Sequence, residues 1–422
     1  MFYKDMSKEQ LLKEQEELLK EYNRFKSLGL KLDMSRGKPS SEQLDISNEL
    51  FNLVDENSTK AENGQECRNY GGLDGIPEMK KIFADLFGCP VDNVIIGENS
   101  SLHMMFDIIA QAISRGLDGE KPWLVQGKVK FLCPCPGYDR HFAITEYFGI
   151  ENIPVPMTPE GPDMDKVEEL VKDPLVKGIW CVPKYSNPDG YSYSDETIRR
   201  LASLKPAAND FRIMYDNAYA VHHLYEDRKD DVLCLYKECI ARGTEKMILY
   251  FMSTSKITHP GSGVSALCAS DHNIELMKHR MQFQTIGPDK INQLRHVRFL
   301  KNSENIAEIM KKHAAIMRPK FKAVLDEFEN VLKPLGIGRW TNPNGGYFVS
   351  FYAPNGCAKR IVELCKDAGL VTTPAGSAYP YGNDPDDSHI RIAPSFPPLE
   401  ELQQAVKLFS VCARLATIEK LL

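Results

Sequence analysis

The residues most able to do chemistry stand in the run FMSTSKITHPGSG, 251–263, where Lys256 follows an apolar stretch and is surrounded by small hydroxyl and glycine residues. Met247 to Met252 predicts a short buried strand, so Lys256 emerges at a strand end, where α/β proteins keep their ligands. A lysine forms a Schiff base only after losing its proton, and desolvation or nearby cations depress its pKa enough to permit that. Taken alone, the same lysine reads more simply as a solvated loop residue.

Other strand ends deliver polar residues in turn: Asn187 in YSNPDG, Asp216 and Tyr219 in YDNAY, and Ser253 and Ser255 in STSK. Parallel strands place such ends on one edge of a sheet, so these distant residues can converge. The usual partner of such a lysine is an aldehyde cofactor. Pyridoxal phosphate then demands a carboxylate against its ring nitrogen, donors to its ring oxygen, an anion cradle and an aromatic face. Asp216 suits the first demand, although a turn aspartate would look the same. Asn187 and Tyr219 suit the ring oxygen, while Asn187 before Pro188 also fits a plain turn. Asn99, Ser100 and Ser101 open a predicted helix, and there they either cradle phosphate or only cap the helix. Tyr138 in PCPGYDRH can stack on the ring.

The elements that must position these residues follow from the apolar pattern. Strand-like runs at 130–133, 178–182, 211–215, 247–252 and 264–269 alternate with helical or polar segments, which predicts a mainly parallel sheet. Leu102, Met105, Phe106, Ile109, Ala110 and Ile113 form an apolar stripe on the helix that Asn99–Ser101 opens. Ser7 and Gln10 form a capping box for an N-terminal amphipathic helix that ends near Gly29. After Pro334 the elements shorten: a strand at 347–352, a helix from about Lys359, a strand at 389–392 and a last helix from Leu399. The expected division is an arm and part of a small domain over 1–50, a large domain over 51–330 and a small α+β domain over 331–422.

Composition limits the partners. At 422 residues, with 52 basic and 58 acidic side chains and a net charge of −6, the chain has room for a water-excluding interior and no basic field for nucleic acid. The 11 cysteines are scattered, with no secretory leader ahead of them, which points to reduced thiols and a cytoplasmic address. Cys133 and Cys135 are too close together for a zinc hook, and they read as buried strand-end thiols. His222 and His223 lack convergent acidic or thiol partners, so they read as structural and no metal is expected. No apolar run reaches membrane-spanning length.

Taken in order, RNYGGLDGIPEMKK, GENSSLHMMFDIIAQA, PCPGYDRH, KYSNPDG, YDNAY, STSK, NGGYF and HIRIAP resemble the fold type I pyridoxal-phosphate aminotransferases of class I. Within that group the chain is similar to the divergent aspartate-aminotransferase-like branch, to which MocR-type domains are related. The resemblance spans roughly residues 30 to 400. It implies a mainly parallel seven-stranded sheet in the large domain, pyridoxal 5'-phosphate as cofactor, and Lys256 as the Schiff-base lysine. It also implies Asp216 as the ring-nitrogen partner, Asn187 and Tyr219 on the ring oxygen, and Ser253 with residues 99–101 on phosphate. Tyr70 would reach the phosphate of a neighbouring subunit, with the segment 285–293 lining the partner's pocket, so a homodimer is implied. Arg391 would take the substrate α-carboxylate.

Two positions depart from the family pattern. Relatives place an arginine for phosphate where this chain has Val264, and a backbone nest at Gly261–Gly263 with the Ser262 hydroxyl is the expected replacement, with His259 as a second candidate. Lys184 before YSNPDG could reach a distal substrate carboxylate, or it is a surface lysine. Arg36 and Lys38 flank Gly37 on a loop that resembles the family's substrate loop, and they offer the same possibility. The expected activity is ping-pong transamination of a dicarboxylic amino acid, aspartate first, with 2-oxoglutarate as acceptor. An aromatic or broad-range transaminase and a lyase are the rival enzymes. A DNA-linked effector sensor is disfavoured, because the first thirty residues hold one helix and no helix-turn-helix.

Overall fold

A computed structural model describes residues 1–422. Its strands are β1 (Leu32–Asp33), β2 (Val94–Ile96), β3 (Lys130–Cys135), β4 (Glu151–Thr158), β5 (Gly161–Pro162), β6 (Val176–Cys181), β7 (Arg212–Asp216), β8 (Ile248–Ser253), β9 (Ser265–Ala269), β10 (Arg339–Trp340), β11 (Val349–Tyr352), β12 (Leu370–Val371) and β13 (His389–Ile392). The large sheet has the order β2-β9-β8-β7-β6-β3-β4-β5. Its centre is parallel, from β8 through β7, β6 and β3 to β4, while β9 runs antiparallel to both β8 and β2. The seven expected strands are present, and the two-residue β5 turns back on β4 to make an eighth.

Both faces of this sheet are buried, which is why its strands read as apolar runs without alternation. Ile179, Ile213, Tyr215 and Met252 pack into one hydrophobic cluster, while Trp180, Met214, Leu249 and Phe251 pack into another on the opposite face. Strand β4 escapes the sequence pattern because Pro154 and Pro156 interrupt it. An edge strand tolerates the missing N–H groups, and beyond β3 only Met157 and Thr158 of β4 are paired, with β5.

The chain's two ends share a third core. Leu11, Leu18, Tyr22 and Phe25 of the helix Lys8–Ser27 pack with Leu402, Phe409 and Leu415 of the helix Leu399–Leu421 and with Val349, Phe351 and Ile392 of the small sheet β10-β11-β13. The capping box forms as predicted: the Ser7 N–H donates to Gln10 Oε1, and the Gln10 N–H donates to Ser7 Oγ. The helix Ser303–Glu327 spans two cores, placing Ile306, Ile309 and Met310 in one and Met317, Phe321 and Val324 in the other. The expected break near residue 330 thus falls just beyond a helix common to both.

All 11 cysteines are free, and no helix is long and apolar enough to cross a membrane. Cys133 and Cys135 are buried on β3, where burial pushes the Cys135 thiol up to about 12. His222 and His223 face different partners, the Lys256 carbonyl at 3.3 Å and the Tyr185 hydroxyl at 2.7 Å.

Candidate active site

Strands β8, β7, β6 and β3 all end on one edge of the sheet, and a cleft of about 490 Å³ opens there. It is lined by Lys256, Ser253 and Ser255 after β8, Asp216 and Tyr219 after β7, Asn187 after β6 and Tyr138 after β3. Ser100 and Ser101 join from the start of the helix Ser101–Arg115, and Arg391 joins from β13. The segment after β1 also contributes. Parallel pairing of β1 with β12 brings Arg36, Gly37 and Lys38 to the cleft beside Thr372 and Thr373.

The Lys256 side chain is half-buried in the cleft, and its ammonium makes neither a hydrogen bond nor an ion pair. Burial lowers its pKa, against the opposing pull of Asp216, so its amine is easier to deprotonate than a surface lysine. Its ammonium lies 5.0 Å from the centroid of the Tyr219 ring. Asp216 is buried, with one oxygen engaged and one not: His141 Nε2 lies 3.0 Å from Oδ2, while Oδ1 has no partner. The His141 ring is itself held by stacking on Trp180, with centroids 4.6 Å apart and planes at 12°. Tyr138 packs edge-on against His141 at 4.9 Å, and burial pushes its hydroxyl up to about 12. Burial also raises the Tyr219 hydroxyl well above its ordinary range, so it remains a proton donor at neutral pH.

One end of the cleft is rich in hydroxyls. Ser253 Oγ donates to Ser255 Oγ at 3.0 Å, and Ser255 Oγ donates to the Asn99 carbonyl at 3.2 Å, tying the lysine loop to the turn before the helix Ser101–Arg115. Ser100 caps that helix by accepting from the Leu102 N–H. The Asn99 side chain is outside the cleft and points to the Pro260 carbonyl. The predicted replacement for the missing arginine is not assembled. Ser262 does not line the cleft, and its N–H is already donated to the His259 carbonyl. His259 turns away to the Leu44 carbonyl and stacks on Phe51. Val264 is buried and clasped by Thr254, whose Oγ1 accepts its N–H at 2.9 Å. Of the backbone donors at this turn, the Ser262 and Val264 N–H groups are thus spent within the loop.

The cleft also holds a cation with a free donor. Arg391 Nη1 donates to Asn187 Oδ1 at 3.2 Å and to Asp139 Oδ1 at 3.1 Å, while Nε is buried without a partner. The guanidinium lies 4.9 Å from the Phe348 ring. Gly37 has a packing reason to be glycine, since a Cβ there would run into that same ring. Lys184 is placed elsewhere than expected: it does not line the cleft, and its ammonium sits 5.7 Å from the Tyr185 ring centroid. Burial lowers its pKa against the pull of Asp231 and Asp230. Arg36, Lys38 and Arg140 do line the cleft, and none of them forms an ion pair.

Tyr70 lies outside this cleft and is 84% exposed. It adjoins the segment 285–293 on the surface, because Gly287 packs so closely on Gly71 that a Cβ would stand 2.8 Å from the Gly71 carbonyl oxygen. Sequence reasoning missed three residues of the site, His141, Asp139 and Arg140, although all three stand in PCPGYDRH. A histidine two positions beyond a helix-opening residue, at the end of a strand adjoining the one before Asn187, was the available signal.

The chemistry of this donor set fits pyridoxal phosphate: a buried acceptor oxygen without a donor at Asp216, a desolvated amine at Lys256, tyrosine rings on the walls and a hydroxyl cluster at a helix N-terminus. Among curated proteins, an aspartate aminotransferase of Corynebacterium glutamicum is 46% identical over 405 residues, 96% of this chain and 94% of that one. A solved aspartate transaminase of the same organism has a TM-score of 0.97 at 45% identity and covers 100% of both chains. A more distant relative, an HTH-type transcriptional regulator of Bacillus subtilis, is 25% identical over 289 residues, 67% of this chain and 62% of the regulator. The family model described as aspartate amino-transferase matches residues 6–422, and the chain belongs to that family of aminotransferases.

Proposed function

We propose that the chain transaminates a dicarboxylic amino acid, L-aspartate first, with 2-oxoglutarate as acceptor, using pyridoxal 5'-phosphate in a ping-pong cycle and working as a cytoplasmic homodimer. The observation that carries this reading is a set of unmatched polar groups converging on one cleft: the half-buried Lys256 amine, whose pKa desolvation lowers, and the buried Asp216 Oδ1 and Arg391 Nε, which have no partner. Each lacks the partner that the cofactor or substrate would supply. When bound, the cofactor supplies an aldehyde for amines and a ring that accepts electrons.

Lys256 is the residue that would hold the aldehyde and, once freed, move the proton at the substrate Cα. Burial lowers its pKa, which favours the neutral amine that both tasks need. Asp216 Oδ1 would accept the ring N–H, and His141 on Oδ2 fixes the plane of that carboxylate. Asn187 can donate through Nδ2 because its Oδ1 is occupied by Arg391. Tyr219 would donate its hydroxyl to the same ring oxygen. Ser100, Ser101, Ser253 and Ser255 would bind phosphate with neutral donors and the positive end of a helix.

Arg391 would take the α-carboxylate through Nε, its free buried donor. The unpaired cations Arg36 and Arg140 then stand along the walls for a second carboxylate, and they replace Lys184 in that role. Exposed Tyr70 and the adjoining segment 285–293 support the proposal that a second subunit completes each site. The test is to mix cofactor-loaded enzyme with single amino acids, without an oxo acid, and follow the cofactor's visible absorption. Aspartate and glutamate should bleach it while phenylalanine leaves it; the reverse ranking overturns the dicarboxylate reading.

A further inference from the structure

Only two acidic residues line the cleft, Asp216 and Asp139. Asp216 has a role in the proposed chemistry; Asp139 does not. Its carboxylate sits 3.1 Å from Arg391 Nη1, on the one guanidinium that would receive the substrate α-carboxylate. Asp139 opens the helix Asp139–Tyr147, where the helix N-terminus favours its negative charge. The neighbouring cations Arg36, Lys38 and Arg140 have no acid partner, so acidity has been placed selectively on the carboxylate receptor.

We infer that Asp139 is a built-in competitor for Arg391: a tethered carboxylate that shares the guanidinium and lowers the affinity of the cleft for every carboxylate ligand. This rests on the proposed role of Arg391. An incoming carboxylate finds Nε free but meets a like charge held on the same fork, so part of the attraction of Arg391 is cancelled before the ligand arrives. Asn187 Oδ1 and the Phe348 ring also touch the guanidinium, so its orientation does not depend on Asp139 alone. Weakened binding that acts equally on ground state and transition state raises KM, which keeps the site from filling with ligand at low concentrations.

The test uses the cofactor-loaded enzyme and its Asp139→Asn, Asp139→Ala and Asp139→Glu variants, with propionate and succinate titrated by calorimetry. Asn keeps an acceptor for Arg391 but removes the charge, so both acids should bind roughly 10-fold tighter, and KM for the amino acid should fall. Asp139→Glu keeps the charge and should stay near wild-type affinity. Unchanged or weaker binding in Asp139→Asn, or an Asp139→Ala that binds more weakly than wild type while Asp139→Asn matches it, would mean that the residue only orients Arg391 and would overturn the inference. Propionate has no second carboxylate, so this comparison reads Asp139 whichever amino acid the wild-type enzyme prefers. The bleaching experiment judges the dicarboxylate reading separately.

Discussion

The two edges of the large sheet treat buried charge in opposite ways. At the edge where β6 and β7 begin, Lys177 Nζ lies 2.7 Å from Asp210 Oδ1, and Asp210 Oδ2 accepts from Trp123 Nε1 at 2.8 Å. Arg212 nearby donates to Asp118 at 2.7 Å and to Asn273 and the Phe211 carbonyl. At the edge where the same strands end, Lys256 has no partner, Asp216 uses one of its two oxygens, and Arg391 leaves Nε unused. One lesson follows from the contrast. A buried charge paired with an opposite charge holds the fold together, whereas unmatched polar groups that converge on one cleft cost the fold stability and leave donors and acceptors open there.

Exchanging lysines should expose the contrast most sharply. Lys256→Ala should cut turnover by about 10⁴-fold while the melting temperature of the cofactor-free protein holds or rises, because an unpaired, desolvated amine has been removed. A large loss of stability would place Lys256 with the structural lysines. Lys177→Met should do the opposite. It leaves Asp210 charged and buried, and denaturant titration should show a loss of about 3–5 kcal/mol; a loss below 1 kcal/mol would erase the distinction between the two edges. His141→Phe keeps a ring on Trp180 but frees Asp216 Oδ2, and kcat should fall by roughly 10- to 100-fold with a small change in melting temperature.

Asp189 refines the comparison, since it lies just past Asn187 on the ligand edge and has one oxygen bonded to the Tyr352 hydroxyl and one without a partner. Burial pushes its carboxyl up to about 6, from 3.8, with the Tyr352 hydroxyl opposing the rise. A folded pKa above the unfolded one means the native state binds more protons across that interval, so stability falls as pH climbs from about 4 to 6. Asp189→Asn should therefore be more stable than the wild type at pH 7.5 by about 1–3 kcal/mol, with the gap closing below pH 4. A gap that is the same at both pH values would contradict this account.

Much of this architecture could be read from residue order. Fully buried strands leave apolar runs, so β3, β6, β7, β8 and β9 were visible, and parallel alternation put their ends on one edge. That was enough to bring Lys256, Asp216, Tyr219, Asn187 and Tyr138 together. The edge strand β4 was not visible, because its prolines are acceptable only where a backbone N–H has nothing to pair with. At the site, the errors were those of side-chain direction. Lys184 and Ser262 lie close in sequence to true cleft residues but turn into other surroundings, Lys184 toward Tyr185 and Ser262 into a loop closed by Thr254.

What the sequence determined by itself was the periodicity and the chemistry: which segments must be buried, which strand ends carry a lysine, an acid and an amide, and which family they resemble. Tertiary structure alone decided which lone pairs and N–H groups are already taken. That Asp216 keeps Oδ1 open while His141 holds Oδ2, and that Asp139 engages Arg391, depends on contacts between elements up to 252 residues apart. Hydrogen bonding is directional and saturable, so whether a group is spent or free is a property of the packed chain and is not written in the local sequence.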